Sequence, residues 1–344
     1  MGTQTRIRVV LRGTGRVLRG VPFGLVLGGL VAPPTWAAPS GETVVHGAAE
    51  FLRGPGTLEV RNSRNAIIHW EDFSVRAGEL TRFVQPDAAS AVLNRVTGGR
   101  LSELQGALES NGRVFLINPA GVVVGADAVI DTAAFIASSL DITDEDFLNG
   151  ELRFRGNTGF VETNGLIVAR QGPVVLVAPS VENSGLIRAE NGGILLAAGR
   201  SVWVSGPELE DVVFEVQAPE DSVLSEGELV AQGGPVKAFA GTLTHTGRLQ
   251  ADTVAVDGDG EIVLRAAASA TLGPEATVTA PGGRVRVHGD EATWVQGTVD
   301  VAAAAGSGGA VELLGDQVVL SGSARVDATG PDGGGTIHVG GNVL

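Results

Sequence analysis

The sequence predicts an all-β protein built as a parallel β-solenoid. Its 344 residues include 51 glycines and contain few long helix-forming segments. Residues 165–184 (GLIVARQGPVVLVAPSVENS) align without a gap on residues 185–204 (GLIRAENGGILLAAGRSVWV), which indicates a repeat of about twenty residues. Matching residues at a fixed spacing are typical of coils that stack on one another. An antiparallel sandwich, the alternative for short strands and frequent turns, does not need them.

A secretory signal peptide is predicted at residues 1–37. Five arginines and no acid precede an apolar run at 21–31, and we expect cleavage between Ala37 and Ala38. A membrane anchor is the alternative, but the run is shorter than the roughly 20 residues that span a bilayer. Removal of 1–37 takes five positive charges from a net charge of −15 and leaves −20. This acidic chain lacks the clustered Lys and Arg of nucleic-acid-binding proteins, so no nucleic acid partner is predicted.

The first half of the mature chain contains a predicted cap and a predicted corner. A cap is expected near residues 40–75, because an open solenoid end leaves strand edges unpaired. Asn118-Pro119-Ala120-Gly121 separates the apolar runs 114–117 and 122–124. Its residue order favours a type I turn, and Ala in the third place disfavours a type II turn. In a solenoid such a turn redirects the chain from one face to the next.

One short surface helix is predicted at residues 141–150 (DITDEDFLNG). Thr143 suits the N-cap, three acids follow in the first turn, and Gly150 can end the helix. The coils of about twenty residues follow the helix and the later ones lengthen, with Val285, Val311 and Ile337 at equivalent positions.

Four segments then occur in an order that is found in a known family. They are IIHWEDFSV (67–75), LNRVTGG (93–99), NGRVFLINPAGVVVG (111–125) and ASSLDI (137–142). Together they resemble the N-terminal secretion (haemagglutination activity) domain of filamentous haemagglutinin-type exoproteins, the secreted partners of bacterial two-partner secretion systems. The resemblance implies a right-handed single-stranded parallel β-helix outside a Gram-negative cell or at its surface.

The resemblance also implies an export route and a domain organisation. The general secretory machinery would deliver the chain to the periplasm. A dedicated outer-membrane β-barrel transporter with periplasmic receptor domains would recognise it there. We expect a capped secretion domain at 38–205 and continuing coils at 206–344 that begin a longer shaft.

Five residues of the matching segments are candidates for a secretion motif: Asn94, Arg95, Asn118, Pro119 and Gly121. Two interpretations stay open for them, a structural corner or cap and a direct transporter contact. Turn chemistry alone accounts for the first. Asn94 could form an internal hydrogen-bond ladder, and Arg95 could pair with an acid in the coil beneath it. The family's turn is usually Asn-Pro-Asn-Gly, so Ala120 has no polar recognition role here.

The function predicted from the resemblance is that of a secreted adhesin that binds a host or bacterial surface receptor or a glycan. The alternative is a secreted β-helical enzyme, a polysaccharide lyase or hydrolase, with Asp257, Asp259 and Glu261 as candidate carboxylates. The run VDGDGEIV that holds them is also an ordinary Asp-Gly turn, so we predict no catalytic residue and no enzyme activity. No cofactor or metal is predicted either, because metal-ligand spacing is absent among the histidines, which we expect to be solvated or in turns: His46, His69, His245, His288 and His338.

Overall fold

A computed structural model describes residues 39–205, 209, 211–217, 219–252 and 260–341. The predicted signal peptide, its cleavage site at Ala37 and Ala38, and the carboxylates of Asp257 and Asp259 lie outside these residues. Within the described part of the chain, no helix is both long and apolar enough to cross a membrane.

The described residues form a succession of short strands and one helix. The first part of the chain contains β1 (Thr43–His46), β2 (Ala49–Gly54), β3 (Thr57–Asn62), β4 (Ala66–Trp70), β5 (Leu80–Val84), β6 (Ala91–Val96), β7 (Ser102–Leu104), β8 (Ala107–Ser110), β9 (Arg113–Ile117), β10 (Val122–Val124), β11 (Val129–Thr132), β12 (Ala134–Ser138), β13 (Asp141–Ile142), α1 (Asp144–Asn149) and β14 (Leu152–Arg155). The middle part contains β15 (Val161–Thr163), β16 (Leu166–Ala169), β17 (Val174–Ala178), β18 (Ser180–Asn183), β19 (Leu186–Ala189), β20 (Ile194–Ala198), β21 (Ser201–Ser205), β22 (Asp211–Glu215), β23 (Ser222–Ser225), β24 (Glu228–Ala231), β25 (Val236–His245) and β26 (Arg248–Ala251). The last part contains β27 (Glu261–Leu272), β28 (Thr277–Thr279), β29 (Arg284–Gly289), β30 (Ala292–Val295), β31 (Thr298–Asp300), β32 (Ala310–Leu314), β33 (Gln317–Leu320), β34 (Arg325–Asp327) and β35 (Thr336–Val339).

Three ladders of parallel strands run along the molecule. Ladder 1 consists of β4, β6, β9, β12, β17, β20, β25, β27, β29, β32 and β35. Ladder 2 consists of β7, β10, β15, β18, β23, the second halves of β25 and β27, β30 and β33. Ladder 3 consists of β3, β5, β8, β11, β16, β19, β24, β26, β28, β31 and β34. The predicted parallel β-helix is therefore confirmed, because each coil adds a strand to these ladders in turn.

The register of the ladders follows the sequence repeat. Leu166 pairs with Leu186 in ladder 3, and Val174 pairs with Ile194 in ladder 1. The three residues predicted to be equivalent in the later coils also stack, since Val285, Val311 and Ile337 occupy one column. Inward side chains of the three ladders form one continuous core, in which most residues are completely buried.

The predicted N-terminal cap is confirmed. β1 pairs antiparallel with β4, and β2 and β3 form an antiparallel hairpin at the start of ladder 3. The core below the cap is aromatic: the ring of Trp70 lies 5.7 Å from that of Phe51 and 5.4 Å from that of Phe73, both edge-on. Edge-to-face pairs of this kind stabilise beyond the area that they bury.

The predicted short helix is confirmed as α1. The side chain of Thr143 accepts a hydrogen bond from the backbone N–H of Asp146 at 3.0 Å, and Gly150 ends the helix with a left-handed φ of 75°. Phe147 is the buried residue of α1, and its ring contacts that of Phe115 edge-on at 5.1 Å. The helix therefore packs on the outside of ladder 1.

One part of the repeat alignment is wrong. The alignment of 165–184 on 185–204 places residues 201–204 in a coil on top of β18, but β18 pairs with β23 instead. Residues 201–205 form β21, which leaves the solenoid and pairs antiparallel with β14 and β22. The alternating pattern of this strand suits either sheet, so its own residues do not decide its partner.

The elements outside the coils form a cover over ladder 1. We use the name cover for α1 together with the four-stranded sheet of β13, β14, β21 and β22. Beneath it, ladder 1 turns apolar side chains outward, and these form a second core with the cover: Ile67, Leu93, Phe115, Ile117, Ile136, Val175, Val177, Leu195, Ala197 and Phe239. Where it is covered, ladder 1 is thus largely apolar on both faces, with Arg95 and Lys237 as charged outward residues. In β29 and β32 the outward positions hold Arg286, His288 and Glu312 instead.

Candidate functional site

The corner at Asn118 lies between β9 and β10 and is completely buried at its first residue. The backbone N–H of Gly121 donates to the carbonyl of Asn118 at 2.9 Å, which closes a four-residue turn. Ala120 has a negative φ, because Asn65 and Leu209 are the described non-glycine residues with a positive one. The turn is therefore type I rather than type II, as the sequence predicts.

The side chain of Asn118 makes three hydrogen bonds that hold the corner to its neighbours. Its Oδ1 accepts from the backbone N–H of Ala120 at 3.0 Å. Its Nδ2 donates to the carbonyl of Arg100 at 2.7 Å and to Oγ of Ser102 at 2.9 Å. An Asn in this place both forms the turn and satisfies groups of the preceding coil.

Gly121 is confined by the coils on either side. Its φ is +118°, and a Cβ added there would lie 3.0 Å from Cδ1 of Leu101 and 3.1 Å from the carbonyl oxygen of Phe160. In the next coil Gly159 stands close to the turn, since a Cβ there would lie 2.6 Å from the carbonyl oxygen of Pro119. Both glycines allow the two corners to stack in contact.

Asn94 points into the solenoid and joins three coils. Its Oδ1 accepts from Nε1 of Trp70 in β4 at 3.0 Å, and its Nδ2 donates to the carbonyl of Phe115 in β9 at 3.1 Å. Asn94 is completely buried, so these bonds satisfy polar groups that have no access to water. The contacts are those of an internal hydrogen-bond ladder.

Arg95 points outward from the same strand and holds the cover. Its guanidinium donates to Oδ1 of Asp141 at 3.0 Å, to Oδ1 of Asp144 at 2.6 Å and to the carbonyl of Ile142 at 2.5 Å. Burial lowers the pKa of Arg95, but the hydrogen bonds and charges of the two aspartates outweigh burial and raise the pKa overall. Arg95 therefore stays charged and fixes β13 and the start of α1 on ladder 1.

The acids that pair with Arg95 are not in the coil beneath it. That position holds His69, whose Nε2 lies 3.1 Å from the guanidinium. The two aspartates come from the segment that leaves the solenoid after β12. Nothing in the sequence indicates that this segment folds back over Arg95. The expectation of an acid in the lower coil is wrong for this reason.

The five candidate residues lie in consecutive coils but do not converge on one pocket. Arg95 pairs in register with Ile117, the residue before the corner. Asn94 and Asn118 are buried inside, while Arg95 lies under the cover, so their functional groups face different partners. The side chains of Asn94, Arg95 and Asn118 each form hydrogen bonds within the fold. They therefore do not form a common binding surface.

The enzymatic candidates have little support in the described residues. Oε2 of Glu261 lies 3.6 Å from Nζ of Lys237, which pairs this carboxylate with a cation instead of a second acid. No group of three or more metal-ligating side chains occurs in the part of the chain that the structure describes.

His245 departs furthest from the expectation that the five histidines are solvated or in turns, although His69 and His288 also lie half-buried in strands. His245 is the last residue of β25 and is 1% exposed inside the solenoid. It stacks in ladder 2 on Ser225, which in turn stacks on Asn183. Burial lowers the pKa of His245 from 6.5 to about 4, against the opposing effect of the backbone at Ser225 and Gly247. The sequence repeat could have predicted this burial, because it places His245 at an inward position of its coil.

Comparisons with known proteins agree with this architecture. A family model described as the TPS secretion domain matches residues 55–233. The solved structure of the HMW1 secretion domain from Haemophilus influenzae superposes with a TM-score of 0.78 and 30% identity, covering 85% of this chain and 84% of that one. The solved secretion domain of filamentous hemagglutinin covers 88% of this chain and 100% of that one, with a TM-score of 0.46 and 15% identity. The predicted fold class, a right-handed parallel β-helix, is confirmed.

A curated relative is similar over part of its length. The heme/hemopexin-binding protein of Haemophilus influenzae strain Rd is 33% identical over 225 residues, which are 62% of this chain and 24% of that protein. The chain thus spans about a quarter of the length of the relative.

Proposed function

The chain belongs to the TPS secretion domain family, and from this membership we propose that its covered coils carry the signal for a dedicated outer-membrane transporter. Exoproteins of this family cross the outer membrane of Gram-negative bacteria by way of the periplasm, and this chain is a secreted two-partner exoprotein. The boundaries of the secretion domain, 38–205, stay a prediction.

One observation supports the division into a secretion domain and a shaft. The family match at 55–233 contains the whole cover, from β13 to β22. Beyond it, Arg284, Arg286 and Glu312 occupy outward positions of ladder 1 in β29 and β32, beside the apolar Ala310 and Leu314. A solenoid can change its surface from coil to coil while its core stays the same, because each coil contacts only its neighbours.

The proposal is tested by secretion with and without the transporter. The chain is produced in a Gram-negative host with or without its cognate β-barrel transporter, and the amount of chain in the medium is measured. We expect release that depends on the transporter. Residues 1–233 fused to an unrelated passenger should be released in the same way. Equal release without the transporter would contradict the proposal.

The second part of the proposal concerns the exported protein, which we infer to act by binding and not by catalysis. A relative named for binding heme and hemopexin supports a binding role. A host or bacterial surface receptor, a glycan or a haem-carrying protein is the class of partner. The purified chain should bind such a partner in a pull-down from host-cell extracts and should release no oligosaccharide from polysaccharides. Release of oligosaccharide would favour the enzyme alternative.

A further inference from the structure

One outer surface of the solenoid is uncharged over five coils. From β23 to β33, the outward side chains of ladder 2 form two columns. The first column contains Ser222, Thr242, Ser269, Ala292 and Gln317, and the second contains Leu224, Thr244, Thr271, Trp294 and Val319. We use the name hydroxyl face for these ten side chains. Four steps of about 4.8 Å give it a length of about 19 Å along the solenoid axis.

The lack of charge sets the hydroxyl face apart from its surroundings. Earlier strands of ladder 2 turn Glu162 and Glu182 outward in the column that continues with Leu224. In the coils of the hydroxyl face, the other two ladders carry charges at outward positions: Lys237, Glu261, Arg286 and Glu312 on ladder 1, and Glu228, Arg248, Asp300 and Asp327 on ladder 3. Ladder 2 therefore provides a neutral surface on a charged solenoid.

The polar groups of the hydroxyl face are available to a ligand. Trp294 is 40% exposed, and neither an acceptor for its Nε1–H nor an aromatic or cationic side chain against its ring occurs among the described residues. In contrast, the ring of Trp203 in the cover has the guanidinium of Arg153 at 4.8 Å from its centre. Five hydroxyls of the hydroxyl face form no hydrogen bond with the described part of the chain: those of Ser222, Thr242, Thr244, Ser269 and Thr271.

These groups suit an uncharged ligand that is rich in hydroxyls. A hydroxyl both donates and accepts, so serine and threonine side chains can pair with a sugar hydroxyl in either direction. The exposed indole of Trp294 adds an apolar ring, on which the carbon face of a sugar can pack, and one N–H donor. A protein surface docked here would bury five hydroxyls that each need a partner of their own. A glycan supplies such partners on every unit.

Charge and spacing narrow the class of glycan. Exposed acids lie beside the strand ends of the hydroxyl face: Glu226, Glu291 and Asp316. In a chain with a net charge of −15 they repel sulfated, sialylated and uronate-containing glycans. Hydroxyls that recur at every coil suit an extended chain. A β-1,4-linked sugar unit is slightly longer than one coil step of about 4.8 Å, so successive units can face successive coils.

We propose that the hydroxyl face binds an uncharged, extended β-1,4-linked glycan along the solenoid axis. One sugar ring packs on the indole of Trp294, and the next units form hydrogen bonds with Thr271 and Thr244. The proposal rests on the binding role of the exported protein and names a class of ligand for it. All three side chains lie beyond the family match at 55–233, so export and glycan binding use different parts of the chain.

The ligand class is tested by calorimetric titration of the purified chain with cellohexaose. We expect saturable binding that added salt does not weaken, because no ion pair forms. Two other hexamers separate shape from charge. Maltohexaose has neutral glucose units in a curved chain, and the hexamer of β-1,4-linked glucuronic acid has the extended shape with carboxylates. Each should bind at least about tenfold more weakly than cellohexaose.

The position of the site is tested by substitutions on and off the hydroxyl face. Trp294→Ala should weaken cellohexaose binding about fivefold, through loss of the aromatic contact. Trp203→Ala is the matched control, because this tryptophan of the cover is 42% exposed. Thr271→Val removes a hydroxyl and keeps the shape of the side chain, and it should weaken binding about threefold. Thr277→Val, at an outward threonine of β28 on ladder 3, should leave it unchanged.

Circular dichroism checks that every variant is folded. Absence of cellohexaose binding, equal affinities of Trp294→Ala and Trp203→Ala, or equal affinities for cellohexaose and either of the other hexamers would each overturn the glycan site. The wider binding role is judged separately by the pull-down from host-cell extracts. A partner captured equally by the wild type and Trp294→Ala, without cellohexaose binding, would overturn this site and leave the binding role in place.

Discussion

At the residue scale, the buried corner shows how one position can combine two demands. Gly121 needs a positive φ, and it also needs space that the neighbouring coils do not leave for a side chain. These two requirements are separable, because Gly78 has a φ of +78° but no atom within 4 Å of an added Cβ. Comparison of the two glycines therefore distinguishes backbone strain from crowding.

Gly121→Ala should lower the free energy of unfolding by about 2–3 kcal/mol. The alanine would be strained at this positive φ, and its Cβ would crowd the coils on either side. Gly78→Ala should cost about 1 kcal/mol, because only the strain remains. Urea denaturation of both variants measures the difference.

In a secretion assay we expect Gly121→Val to reduce the exported yield, while Glu228→Gln leaves it unchanged. Equal yields would show that the corner limits neither folding nor recognition.

His245 gives the solenoid a dependence on pH. The imidazole is neutral in the fold down to about pH 4, whereas in the unfolded chain it takes up a proton below about pH 6.5. Its contribution to stability is therefore complete above pH 6.5 and decreases as the pH falls towards 4. The loss amounts to about 3 kcal/mol in all, at about 1.4 kcal/mol for each unit of pKa.

His245→Leu should remove this loss, because the equivalent position of the next coil already holds Leu272. Unfolding free energies of the wild type and the variant, measured between pH 4 and 7.5, should converge or cross as the pH rises. Titration of the many carboxylates affects both proteins alike and cancels in the comparison. Parallel pH profiles would exclude His245 as the cause.

At the scale of elements, the cover depends on contacts that the coils alone do not provide. Its helix has six residues, too few to be stable by itself in water. Burial of Phe147 and Phe154 against the outward face of ladder 1 stabilises the cover, and Arg95 fixes its first strand by charge-assisted hydrogen bonds. The cover and ladder 1 therefore stabilise each other.

Arg95→Gln should detach the start of the cover and lower the free energy of unfolding by about 2 kcal/mol, because two aspartates lose a partly buried cation. Hydrogen exchange should accelerate between residues 141 and 155 and remain slow in ladder 3. Arg188→Gln, at an exposed arginine of β19, is the control and should change neither quantity. Unchanged exchange in the cover would show that apolar packing alone holds it.

At the scale of the whole molecule, the solenoid consists of coils that contact only their neighbours. Covered coils have two cores, one inside and one beneath the cover, whereas the coils after β27 have the inner core alone. Local stability should therefore differ along the axis, since opening free energies follow the number of buried apolar contacts.

Val311→Asp tests this difference. Val311 is completely buried between Val285 and Ile337, so a carboxylate there should unfold the last coils. In a chain of nearest-neighbour contacts the covered coils should stay folded. Limited proteolysis should yield a resistant fragment that contains residues 55–233. Loss of protection along the entire chain would show that the solenoid unfolds as one cooperative unit.

The sequence by itself determined the coil, its corner and its short helix. Stacked coils place equivalent residues on one another, so the solenoid is visible in the sequence as a repeat. Leu166 and Leu186 are one such pair. The type I corner and the capping of α1 are equally local, because turn and cap residues act on the backbone within about four positions. The resemblance in the segments from 67 to 142 identified the family on the same local basis.

Only the tertiary structure decided where the cover lies and what the motif residues contact. β21 has a pattern that suits either a coil or an antiparallel sheet, and its partner β14 is about fifty residues away in the chain. Arg95 meets Asp141 and Asp144 because a segment returns over the solenoid, and no spacing in the sequence records that return. Long-range pairing depends on which apolar face remains unburied after the coils have formed, and this is a property of the folded coils.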